Sequence, residues 1–99
     1  MAVTSVTRAQ RLGKVLAELR REEPLVAELW TATQADAVQF WVIAREPIPM
    51  AEHRRLYGLT GALYDRCPDA TFEVHVLNPR NYIGDVHRAL PRNAVQLPV

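Results

Sequence analysis

Apolar residues recur with a period of two in some stretches of this chain and with the period of a helix in others. Ala37-Val-Gln-Phe-Trp-Val-Ile-Ala44 is rich in β-branched and aromatic side chains, and Ala70-Thr-Phe-Glu-Val-His-Val-Leu77 alternates apolar with polar; each predicts a strand. Between them Leu56, Leu59, Leu63 and Cys67 fall on one stripe, which predicts a helix over 49–67. The unit 37–78 is therefore a β-α-β crossover with its two strands parallel. Upstream, Val6, Leu12, Val15, Leu16 and Leu19 form a second stripe over 5–22, with Thr4 or Ser5 able to cap its start and Pro24 barring its continuation.

Leu25 to Thr33 reads as a further strand, joined to the strand at Ala37 through Gln34-Ala35-Asp36 as an antiparallel hairpin. The residues from Leu25 to Ala32 also fit a helix. Asn78-Pro79 has the form of an N-cap followed by proline at the first helical position, so a short turn is expected up to Gly84. Segment 79–99 is otherwise irregular; Val95, Leu97 and Val99 alternate, as in a short edge strand or a tail packed on the sheet. Gly58 and Gly61 weaken the 49–67 helix by about 1 kcal/mol each relative to alanine. Close approach of that helix to the sheet is the expected reason for them.

These elements predict one α+β domain of order α-β-β-α-β. Its sheet is mixed, with three or more strands, and two helices pack on one face. At 99 residues the chain supports a modest single core. Alternation sorts the strand residues by face. Phe72, Val74 and Val76 belong with Val38, Phe40, Val42 and Ala44 beneath the helices. Glu73, His75 and Leu77 belong with Gln39, Trp41 and Ile43 on the other face, joined by Trp30 and Glu28 from the first strand. Two tryptophans among polar residues on a face without helices mark a partner surface, a face covered by the C-terminal tail, or a stacking site.

Composition narrows the chemistry. Formal net charge is +1, and acids interleave with the bases in both halves, so neither half is a polyanion-binding tail. All the basic residues except Lys14 are arginines. Arg8, Arg11 and Lys14 cluster on the first helix, and Arg54-Arg55 form a doublet on the second, as does Arg20-Arg21 at the end of the first. Glu22, Glu23 and Glu52 blunt the field these would present to phosphates, so nucleic acid is a minor expectation. Cys67 is the lone cysteine, which rules out an internal disulfide and a clustered-cysteine zinc site. The lone serine, Ser5, has no evident base, and the four glycines form no phosphate loop. His53, His75 and His87 are not paired at ligand spacing. Asp85-Val86-His87 is a two-ligand fragment that needs partners from elsewhere, so no metal or cofactor is expected. With no long apolar run and no secretory leader, a cytoplasmic protein is the expectation.

The Leu56-Tyr57 to Leu63-Tyr64-Asp65-Arg66 helix, the Phe72–Leu77 strand and the following Asn78-Pro79-Arg80-Asn81-Tyr82 resemble the distal strand–helix–strand of small bacterial nucleotidyltransferase-like proteins, over residues 38–82. The family's Gly-Ser signature and paired metal-binding aspartates are absent. The resemblance thus implies a catalytically inactive relative, and no catalytic residue carries over. The chain's overall order also resembles that of small bacterial α+β domains.

The leading expectation is a non-enzymatic protein-interaction module, a homodimer built on the face bearing Trp30, Gln39, Trp41, Ile43, Glu73 and His75 or on a strand edge. The alternatives are a small ligand-binding or enzymatic domain with a polar site at Glu73, His75 and Gln39, and a nucleic-acid-associated protein using Arg8, Arg11, Lys14, Arg54 and Arg55.

Overall fold

The computed structural model describes residues 5–34 and 37–97, and for residues 5–9 and Gln34 the backbone alone. The element order is α1 (Ser5–Arg20), β1 (Val26–Gln34), β2 (Ala37–Ala44), α2 (Met50–Leu56), α3 (Gly58–Arg66), β3 (Phe72–Leu77) and β4 (Val95–Gln96), with 3-10 turns at Pro79–Asn81 and Val86–Ala89. This is the α+β order expected, with β4 added at the end. Residues 35 and 36 of the expected hairpin turn lie outside the described set, as do the side chain of Arg8 and Val99.

Among the described residues four strands form one mixed sheet in the order β3-β2-β1-β4. β1 and β2 pair antiparallel, so 26–32 is strand rather than helix, with Leu25 in the preceding turn. β2 and β3 pair parallel from Val38↔Phe72 to Ile43↔Leu77. β4 pairs antiparallel with β1 through Trp30↔Gln96 and Thr31↔Val95. A register shift between Val26 and Glu28 bends the start of β1. The Arg20 guanidinium meets that bend, donating to the carbonyls of Val26 at 3.0 Å and Ala27 at 3.2 Å. Arg20 is thereby a structural residue rather than half of a free basic doublet.

The helices cover one face. Leu12 and Leu16 of α1, Leu56 of α2, and Leu59 and Leu63 of α3 bury against Val26, Leu29, Val38, Phe40, Val42, Phe72, Val74 and Val76. The expected 49–67 helix is two segments meeting at Tyr57, whose N–H bonds back to Arg54 at 3.1 Å and whose carbonyl accepts from Thr60 at 3.0 Å. The stripe Leu56-Leu59-Leu63 survives the break because all three side chains still face the sheet.

The expected role of Gly58 and Gly61 does not hold. Both are exposed, and a Cβ at either position would meet no atom within 4 Å. Close approach occurs instead at Gly13 of α1, where a Cβ would lie 3.1 Å from Leu97 beyond β4. At Gly84 the turn does need glycine, with φ at +87°.

The connection from β2 to α2 is held by a buried polar clamp. Asn78, fully buried at the end of β3, accepts from the Ile48 N–H at 3.1 Å and donates to the Ile48 carbonyl at 2.8 Å. Its Oδ1 also accepts from the Arg80 N–H at 3.1 Å, the N-cap contact expected from the Asn-Pro pair.

Candidate functional site

All six residues expected at an interface share the face away from the helices. The register aligns them in rows: Glu73 beside Gln39 beside Ala32, His75 beside Trp41 beside Trp30, and Leu77 beside Ile43 beside Glu28. The period-two reading of the strands therefore carried directly into space.

The face is divided in two. Over one part the segment after Gly84 folds back, and Val86, with Leu90 and Ala94, packs on Ala32, Trp41, Ile43 and Leu77. Trp41 is only 7% exposed and Ile43 3%, while Trp30 is half-buried at the margin. The other part, toward β3, carries Glu73, exposed, with Gln39 and His75 partly so. His75 stacks on Trp41 with ring centroids 5.2 Å apart and planes 22° from parallel. Its Nε2 lies 3.5 Å from the Glu73 carboxylate. The pair expected from alternation on β3 is thus in contact, at the sheet margin.

A second cluster joins distant parts of the chain. The Asp85 side chain accepts from the His87 backbone N–H at 3.0 Å, capping the 3-10 turn, and its Oδ1 also meets His87 Nδ1. On the far side of the ring, Nε2 meets Glu28 Oε1 at 3.0 Å and Oε2 at 3.1 Å. The Trp30 indole N–H donates to the same Glu28 at 3.0 Å, and the Trp30 and His87 rings meet edge-on at 5.9 Å. Asp85-Val86-His87, read in sequence as a two-ligand fragment, therefore finds Glu28 as its third partner. Each ring nitrogen faces a carboxylate rather than an open coordination position. Among the described residues no group of three or more His, Cys, Asp or Glu side chains is arranged to hold a metal ion.

The cluster acts as a clasp for the C-terminal segment. Hydrogen bonds that the His87 ring donates to Asp85 and then to Glu28 hold its pKa above the ordinary 6.5. The His87 backbone N–H, then its ring, hold Asp85 below its ordinary 3.8. The raised histidine contributes stability that is complete below the unfolded-state value and lost as pH rises through the folded one. The lowered carboxyl contributes stability present above its unfolded value and lost as pH falls through its folded one. Both contributions are in place between 3.8 and 6.5. We expect the melting temperature to decline as pH rises past His87's folded pKa, and His87→Gln to remove that decline; an unchanged slope in the variant would place the titration elsewhere.

Arg11 and Lys14 are exposed on α1, and Arg54 is exposed on α2. Arg55 pairs with Glu23 at 2.8 Å, and Arg66 with Glu18 at 3.2 Å, tying α2 and α3 to α1 and its following turn. An open cleft of about 230 Å³ lies there, lined by Leu19, Glu22, Glu23, Arg55, Gly58, Leu59 and Ala62. Cys67 is half-buried against the main core, as its place on the apolar stripe implied.

No helix among the described residues is long and apolar enough to cross a membrane. Comparison with protein-family models, curated proteins and solved structures finds no significant match.

Proposed function

We propose that this domain is a non-enzymatic protein-interaction module that forms a homodimer through the outer edge of β3. The observation that carries this reading is the state of that edge. Among the described residues β3 pairs only with β2, and no strand lies on its other side. The strand runs for six residues, Phe72–Leu77, without proline or bulge, and Glu73 is its one carboxylate. Natural sheets guard exposed edges with such features, because unpaired N–H and C=O groups recruit other strands. The opposite edge differs: β4 closes it with a strand of only two residues.

The edge, rather than the tryptophan face as a whole, is the surface this reading uses. Trp41 and Ile43 are already occupied by the C-terminal segment, whereas Glu73 and His75 flank the open edge. Joining two β3 strands continues the sheet across the dimer and gives the edge backbone groups partners.

The test is solution mass by light scattering for the wild type and for Glu73→Lys/His75→Lys. Both substituted side chains are solvent-accessible, so the variant should keep the wild-type circular dichroism. The expected result is a wild-type dimer and a folded monomeric variant, since lysines on an edge strand repel a second copy. A monomeric wild type would overturn the proposal.

A further inference from the structure

We infer that the two β3 strands pair antiparallel about a two-fold axis at Val74, placing Glu73 of each protomer opposite His75 of the other. This rests on the reading of the β3 edge as the dimer interface. A two-fold axis relating adjacent antiparallel strands stands perpendicular to the sheet, so residues directly opposite share a face. Because faces alternate along a strand, a register that centres on a residue can centre on 73, 74 or 75 with substantial overlap.

The three registers differ in what they oppose. Centring on Glu73 sets two carboxylates against each other, which disfavours pairing. Centring on His75 sets two imidazoles together and places Glu73 against Leu77, a residue 5% exposed beneath the C-terminal segment. Centring on Val74 overlaps five residues of β3, as many as centring on His75. On the helix side it faces Phe72 with Val76 and Val74 with itself. On the other side it makes two Glu73–His75 pairs by symmetry. The side chains already converge within one protomer, with His75 Nε2 at 3.5 Å from Glu73, and both are accessible enough to reach across: 63% exposed for Glu73 and 42% for His75. Trp41 stacks on His75 and limits where the imidazole can go. A strand edge carrying an acid and a base two residues apart around an apolar centre is complementary to itself in this register.

The test is a charge swap read as the dimer Kd by sedimentation equilibrium. His75→Glu replaces both attractive pairs with Glu–Glu contacts and should raise Kd by roughly tenfold or more. The double variant Glu73→His/His75→Glu rebuilds the pairs with their partners exchanged and should return Kd close to the wild-type value. If His75→Glu has no effect, or the swap stays as weak as the single variant, while Glu73→Lys/His75→Lys still separates the dimer, this register is wrong and the edge interface stands. A monomeric wild type removes the interface and the register together.

Discussion

Replacing Asn78 with alanine should lower the stability of the domain by about 2–6 kcal/mol, because the Ile48 N–H and carbonyl are left unpaired in a buried site at about 1–3 kcal/mol each. Asn78 is fully buried and satisfies both groups with one side-chain amide, while also accepting from the Arg80 N–H. Ile48 is itself buried, so water cannot replace the amide there without opening the β2–α2 connection. A loss of this size is a large part of the roughly 5–15 kcal/mol that holds a typical domain together. Asn78→Asp separates the donor from the acceptor. It keeps an oxygen for the two N–H groups but turns a second oxygen toward the Ile48 carbonyl, so it should be destabilised at neutral pH. As pH falls and the carboxyl gains the proton that can donate to that carbonyl, stability should partly return. Urea unfolding of both variants at pH 7 and pH 4.5 checks this. An alanine variant within about 0.5 kcal/mol of wild type, the range of ordinary surface substitutions, would show that the clamp contributes nothing.

Trp41→Ala should cost about 3–5 kcal/mol, the range for removing a buried aromatic from a core. Trp41 has the sheet behind it and the segment carrying Val86, Leu90 and Ala94 in front, with His75 stacked at its side. Losing the indole empties the contact that seats that segment, leaving the Glu28–His87–Asp85 clasp and the β4–β1 pairing as its tethers. Hydrogen exchange should therefore speed up at residues 85–97 more than in β2 or in α3. Trp30, then the remaining indole, should emit further to the red as its surroundings become wetter. Unchanged stability with a changed solution mass would instead mean that Trp41 makes its contacts with a second molecule. The same burial explains why Trp41→Glu is a poor probe of assembly: it places a charge in a dry site and unfolds the chain before any interface is tested.

The strands and their two faces were legible in the chain because alternation is a local property. Val38, Phe40 and Val42 could be assigned to one face and Gln39, Trp41 and Ile43 to the other without knowing what lay above either. The helical stripes were legible for the same reason, and so was the Asn78-Pro79 cap. The glycines of α3 were misread because a glycine's neighbours are not written in its own segment. Gly58 and Gly61 face open solvent, while Gly13, drawn from a helix that shows no other irregularity, meets Leu97 from the far end of the chain. Arg20 looked like part of a basic doublet until the bend at Val26 and Ala27 brought two carbonyls to its guanidinium.

What the sequence determined by itself was the α+β class, the order of elements, and the residues that share each face of the sheet. These follow from periods of two and of about three and a half, which are properties of neighbouring residues. Only the tertiary structure decided which half of the Trp-bearing face is covered, that Asn78 clamps Ile48, that Glu28 meets His87, and that β3 is the open edge. Each depends on contacts between positions 30 or more residues apart, as between Ile48 and Asn78 or between Glu28 and His87. Such contacts are set by how the elements pack and not by any pattern within one of them.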